Sequence, residues 1–311
     1  MTSHQPSFSF NLPDGRLRFG EPLAPYTTIG IGGRTAVLAE VHSREELVAV
    51  RAEACRCGLR TIVLGGGSNV AFADGELRAA VVRLKGAFDT LTPGDENVVT
   101  IGAGCSLSRA VQWTGQAGRT GLEWAAGIPG TVGGALVGNA GAYGEAMSDS
   151  VIDIEAIDEA GCAVTIGVTE AGFGYHTSTL AEGGRIVTSA RLRLAPGDGE
   201  SIRARIAELI ETRRRKLPPG KTAGSIFRNP PGASAGRLLE SCGLKGAREG
   251  GLKVSSRHAN VIVNEGGATA EDLKRLIARM ADEVEARFGV RLTPEVHIIR
   301  GLPPAPHAAE L

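Results

Sequence analysis

Apolar positions along this chain recur at helical spacing in a few long segments and cluster or alternate in many short ones. Residues 43–58 carry Leu47, Val50 and Ala54 on one side, behind the capping box Ser43-Arg-Glu-Glu46 and ahead of Gly58. That spacing predicts a helix. A second is predicted over 107–117, stopping at Gly118. A third is predicted over 201–215, with Ile202, Ile206, Leu209 and Ile210 on one face. The strongest follows Thr269-Ala-Glu-Asp272, has Leu273, Leu276, Ile277, Met280 and Val284 on its apolar side, and stops at Gly289. Strands are predicted at 61–64, 81–84, 98–101, 151–157, 185–194, 259–263 and 290–299. In 185–194, Ala190, Leu192 and Leu194 alternate with polar residues, as in a strand with one buried face. Pro196-Gly-Asp-Gly-Glu200 interrupts the pattern. The expected organisation is α+β: an N-terminal arm over 1–20, a larger domain over 21–196, a smaller domain over 197–301 and a loose tail over 302–311.

Two stretches fit neither period. The run Thr61-Ile-Val-Leu64 opens into Gly65-Gly66-Gly67-Ser68-Asn69. Seven glycines then fall within residues 127–144. Glycine loses the most backbone entropy on folding, so such density needs a physical reason. One loop alone would suit a tight turn at a sheet edge. Two together suit close approach of backbone N–H groups to a phosphate-bearing cofactor. They are not Rossmann loops. Residues 65–70 read Gly-Gly-Gly-Ser-Asn-Val, and the following Ala71-Phe-Ala-Asp-Gly75 does not open a helix.

Charge and cysteine usage narrow the field. The 311 residues include 34 basic and 34 acidic side chains, so there is no basic excess for a nucleic-acid partner. No apolar run has the length of a membrane span, and the first residues lack the signature of a secretory signal. A cytoplasmic protein is expected. Five scattered cysteines make no disulfide framework, and Cys55-Arg-Cys57 has no second pair to complete a metal site. No metal is expected. His4, His42 and His307 belong to no constellation, and Trp113 reads as core.

The glycine loops have company. Tyr26-Thr-Thr-Ile-Gly-Ile-Gly-Gly33 precedes them. Ala223-Gly-Ser-Ile-Phe-Arg-Asn-Pro230, Gly243-Leu-Lys-Gly246, His258-Ala-Asn260 and Pro294-Glu-Val296 follow. With these segments the chain resembles the UDP-N-acetylenolpyruvoylglucosamine reductases (MurB) over most of its length. The short connection between Leu180 and Arg185 resembles the family's simpler form, which lacks an inserted tyrosine-bearing loop. The resemblance implies a two-subdomain FAD-binding domain (PCMH/VAO-like) and a smaller substrate-binding domain. It implies NADPH-dependent reduction of the enolpyruvyl ether of a UDP-sugar to UDP-N-acetylmuramate, for peptidoglycan. A monomer that binds neither nucleic acid nor membrane is expected. FAD is expected to be non-covalent, because no His or Cys lies within the loops; Cys105 is the one disfavoured candidate for a link.

Residue roles follow from the same resemblance. FAD is expected at Gly65, Gly66, Gly67, Ser68 and Asn69, at Gly127, Ile128, Pro129, Gly130, Thr131, Gly133 and Gly134, and at Asn139, Ala140, Gly141 and Tyr143. Tyr175, Arg213, Lys216, Asn229 and Lys245 are expected to face substrate, and Arg214 solvent. Ser225 is the implied proton donor and Glu295 the implied catalytic acid. The third catalytic position is the arginine of Tyr-Arg-x-Ser, but here the sequence reads Tyr175-His176-Thr177-Ser178. Arginine stays charged and grips a carboxylate with two donors, whereas histidine titrates near neutrality. Three readings stay open. His176 acts as an imidazolium, or Arg228 or Lys245 supplies the cation, or the chemistry differs. In the last case the chain is a flavin oxidoreductase with another substrate, or a non-catalytic flavin-binding relic. His297 should share a strand face with Glu295.

Overall fold

A computed structural model describes residues 8–9, 11–95, 97–181 and 184–300. The predicted tail, most of the first half of the arm with His4, His307 and the middle of the 180–185 connection lie outside the described residues.

The helices are α1 (Arg44–Arg56), α2 (Leu107–Ala117), α3 (Val132–Val137), α4 (Gly199–Lys216), α5 (Ala235–Ser241) and α6 (Ala270–Phe288). Each starts where a side-chain oxygen meets an otherwise unpaired N–H. Ser43 accepts from Glu46, Ser106 from Arg109, Thr131 from Gly134 and Asp198 from Ser201. Thr269 and Asp272 form a reciprocal capping box, and Gly289 ends α6 in the left-handed conformation.

The N-terminal part holds two sheets. In the first, strand 34–41 pairs antiparallel with 17–22 and parallel with 76–84, which pairs parallel with 60–63. Period-two alternation divides its side chains between two cores. Val37, Ala39, Ala80 and Val82 face α1, while Leu38, Ala79 and Val81 join a smaller cluster with Leu23, Leu64 and Phe72. Strand 76–84 is longer than predicted because it lies between two parallel neighbours and is buried on both faces from Ala79 onward. The second sheet is antiparallel, in the order 163–167, 151–157, 186–193, 98–102, 91–93.

Helix α4 follows the predicted interdomain break, yet Ile202, Ile206 and Leu209 join the large N-terminal core, and its Arg203 donates to Gly115 O of α2 at 2.9 Å. An amphipathic face announces burial but not the partner. The C-terminal sheet runs 221–225, 261–264, 252–254, 248–249 and packs on α5 and α6. Its core also takes Ile29, Ile31 and Ala71 from the N-terminal part. The predicted strand 290–299 narrows to His297–Ile299, because Pro294 has no N–H to give a ladder. That short strand pairs in parallel with Val70–Phe72, tying the end of the described chain to the segment after the first glycine loop. No helix among the described residues is long and apolar enough to cross a membrane.

Asp74 provides a second tie. Its carboxylate accepts from Ala270 N–H at 3.0 Å and Glu271 N–H at 3.2 Å, capping α6 from the other part of the molecule. Asp74→Ala is expected to lower unfolding stability by about 1 kcal/mol, a typical N-cap loss. Urea unfolding of the holoprotein measures it; an unchanged midpoint would show that the cap contributes nothing.

Candidate active site

The two glycine loops lie against each other. A Cβ on Gly65 would sit 2.4 Å from Thr131 Oγ1, and one on Gly66 would sit 2.7 Å from Gly130 Cα. Ser68 Oγ donates to Pro129 O at 2.9 Å and closes the contact. Gly67, at φ 63°, and Gly130, at φ 134°, hold backbone conformations that L side chains rarely adopt. The N–H groups of Gly65 through Asn69 find no acceptor among the described residues. Five successive donors without partners form a cradle that an anion such as a cofactor diphosphate would fill. The site fits FAD by that observation.

The second loop divides by function. Gly133 N–H bonds Ala103 O at 2.9 Å, and an added Cβ would lie 2.8 Å from Ala103 Cβ. Its glycine is required by the packing of α3, and it cannot offer that N–H to a phosphate. Gly134 is exposed, and its Cβ would meet nothing nearer than Thr131 Oγ1 at 3.6 Å. Ile128 packs on the core. Asn139 also departs from the expected ligand role. Its amide donates to Gly174 O at 2.9 Å and its Oδ1 accepts from Ser148 N–H at 3.0 Å. The amide therefore braces the turn that carries His176, and Oδ1 holds the 147–149 turn. Ala140 N–H bonds Ala135 O, and Gly141 begins the small hairpin with Tyr143 near its tip. Tyr143 is 47% exposed and lies under the Arg213 guanidinium, 5.2 Å from its ring centroid.

Two separate elements bring His176 and Glu295 together, and a third carries Ser225 next to the residue that binds the Glu295 backbone. His176 sits at φ 50° in a turn closed by Gly174 and Thr177, and Ser178 anchors it by donating to Val137 O at 2.7 Å. Glu295 lies on the extended segment before the last strand, and its N–H donates to Ile226 O at 2.7 Å. Ser225, whose side is exposed, is the preceding residue on strand 221–225. Asn260 fixes this stretch through Phe227, accepting its N–H at 2.9 Å and donating to its carbonyl at 2.8 Å. Asn69 joins the flavin loop to the acid: its amide donates to Glu295 O at 3.1 Å, and its carbonyl accepts from His297 N–H at 3.1 Å. Sequence reasoning assigned no role to Asn260 and gave Asn69 to the cofactor. A buried asparagine within a short motif was the available signal, and its target needed the topology.

Electrostatics set the protonation states. His176 Nδ1 is 3.6 Å from Glu295 Oε1. Burial pushes the Glu295 carboxyl up to about 7, against the opposing pull of Arg228. Burial and, next, Arg228 hold His176 and His297 below the ordinary imidazole value. Tyr175 is 58% exposed and meets the His176 ring edge-on, with centroids 4.4 Å apart.

The predicted substrate residues are spread around this centre. Arg213 is largely buried, donates to Trp124 O at 3.4 Å and packs against Gly127. Lys216, Arg214 and Arg215 line an open basic cavity with Arg257, His258 and Glu211. Asn229 Oδ1 accepts from Ala235 N–H at 3.0 Å, and Lys245 Nζ donates to Glu240 at 2.5 Å.

Comparison with known proteins agrees in both halves. Residues 35–167 match the family described as FAD binding domain, and residues 215–299 match UDP-N-acetylenolpyruvoylglucosamine reductase, C-terminal domain. The chain is 41% identical to UDP-N-acetylenolpyruvoylglucosamine reductase 2 of Symbiobacterium thermophilum, over 91% of this chain and 92% of that protein. It is 41% identical to the Alkalilimnicola ehrlichii reductase, over 92% and 95%. The crystal structure of the Thermus caldophilus enzyme (MurB) superposes with a TM-score of 0.78 at 38% identity, covering 91% of this chain and 97% of that one.

The glycines yield a paired test. Gly134→Val is expected to fold and to lose FAD affinity, because its side chain would enter the cradle and not the protein. Gly133→Ala is expected to lower thermal stability of the apoprotein. Flavin titration and apoprotein melting on both variants separate the roles, and equal behaviour would contradict the assignment.

Proposed function

The chain belongs to the UDP-N-acetylenolpyruvoylglucosamine reductase family, and we propose that Ser225 and Glu295 carry its acid chemistry beside the Gly65–Asn69 loop. The reaction is the NADPH- and FAD-dependent reduction of UDP-N-acetylglucosamine enolpyruvate to UDP-N-acetylmuramate, in peptidoglycan precursor synthesis. Reduced FAD supplies the hydride for the β-carbon of the enol ether. What supports the residue assignment is Asn69, which bonds the Glu295 backbone from within the flavin loop.

Addition of hydride leaves negative charge on the substrate's α-carbon, spread onto its carboxylate. Ser225 Oγ can deliver the proton to that carbon. A serine hydroxyl is a weak acid, so the carbanion must be strongly basic and the site shielded from water. Glu295, raised by burial to about 7 and so still partly protonated at neutral pH, donates a hydrogen bond to the developing charge in its acid form, where an ionised carboxylate would repel it. The unpaired N–H groups of 65–69 would hold the cofactor diphosphate, and Tyr143 and Tyr175 are exposed aromatic side chains available to ligands. A UDP-sugar substrate and NADPH support a cytoplasmic location.

Mixing the purified protein with NADPH and then the UDP-enolpyruvyl sugar tests the whole reading: the flavin should bleach and recover. Bleaching without recovery would leave a flavin reductase for another substrate. Ser225→Ala should bleach at the normal rate, since that step takes no proton from serine. Its recovery should slow by about 10²–10⁴-fold, the usual loss with a general acid. Recovery at the wild-type rate would remove Ser225 from the role.

Glu295 adds a pH signature. Its raised value keeps it protonated up to about 7 and ionised above. Flavin recovery should therefore fall on the alkaline side, with its midpoint near 7. Glu295→Gln should lower the plateau and abolish that limb. Stopped-flow recovery rates against pH decide this, and a limb that survives in the glutamine variant belongs to another group.

A further inference from the structure

Negative charge that builds next to a carboxylate calls for a fixed cation, and position 176 holds a histidine kept below its ordinary value by burial. Lys245 is poorly placed to replace it. Its ammonium lies 2.5 Å from Glu240, and the imidazole that feels its charge is His258. Arg228 differs on each point. It forms no ion pair among the described residues, and its Nε is buried with no acceptor. The backbone beneath it is fixed: its N–H donates to Thr293 O at 3.0 Å, and Phe227 bridges Pro294 beside it. Arg228 thus leaves the same strand crossing as Glu295.

The titratable groups that feel the charge of that guanidinium are His176 from the 174–177 turn, with Tyr175 edge-on to it, and Glu295 and His297 from the last segment. Glu295 alone among these could balance its charge, and burial keeps that carboxyl protonated to about pH 7. A permanent cation therefore faces a neutral acid and two imidazoles. An unbonded, partly buried guanidinium is costly unless an anion arrives to meet it, and its planar fork matches a carboxylate. Resting on the reaction assigned above, we propose that Arg228 is the receptor for the substrate's carboxylate, filling the place that the family resemblance gives to an arginine at position 176.

The test uses the oxidised holoenzyme, so that binding is read without turnover. The UDP-enolpyruvyl sugar and its carboxamide analogue are titrated while the flavin absorbance is followed. Wild type should prefer the carboxylate by about 10–100-fold, the range of a charge-assisted hydrogen bond. Arg228→Met should bind both ligands alike, and Arg228→Lys should keep part of the preference. Flavin content and NADPH bleaching should match wild type in both variants. A wild-type preference for the carboxylate in Arg228→Met overturns the proposal. If Arg228→Met fails to fold, full wild-type preference in Arg228→Lys overturns it too, since an ammonium cannot reproduce the fork. A wild-type enzyme that the sugar cannot reoxidise sinks the reading of the reaction, and the proposal falls with it.

Discussion

The site depends on one small clasp. Asn69 ends the flavin loop and grips the acid-bearing segment twice, through its side chain to Glu295 O and through its carbonyl to His297 N–H. The parallel pairing of 70–72 with 297–299 continues the grip for three residues. Without it the cofactor cradle and Glu295 would belong to parts joined only at more distant points, such as the Asp74 cap on α6. The shared core around Ile29, Ile31 and Ala71 gives adhesion, but adhesion is non-directional. Hydrogen bonds between named atoms supply the orientation that proton transfer needs.

Burial and a single guanidinium compete at the centre, and burial prevails at Glu295. Arg228 favours the ionised carboxylate, yet loss of solvent raises the carboxyl to about 7. At His176 the two influences act together, and both hold the imidazole below its ordinary value. An imidazolium at position 176, one of the readings open from sequence, therefore works against its surroundings in the free enzyme. In the pair at 3.6 Å the carboxyl is raised and the imidazole lowered from their ordinary values, both of which work against an ion pair.

Much of this was legible along the chain. Caps and stops fix helix ends through local chemistry, so Ser43, Thr269 and Gly289 marked α1 and α6 closely. Alternation foretold the strand at 186–193. What stayed hidden depended on partners. The apolar face of α4 could not say which core it joins. Gly133 and Gly134 are identical in sequence, yet one meets Ala103 and the other open space. Asn139 reads as a loop ligand until Gly174 appears beside it. The family motifs carried the chemistry, whereas the asparagine braces that position it span distances no local pattern records.

The Asn69 clasp joins positions 226 residues apart. During synthesis, the first glycine loop and its strand leave the ribosome long before residue 297 exists. The edge at 70–72 must wait unpaired through most of translation, and a late, non-local closure of this kind is slow because so much chain entropy is lost at once. The N-terminal cradle can take shape early. The enzyme's reacting centre cannot exist until almost the whole chain has been made.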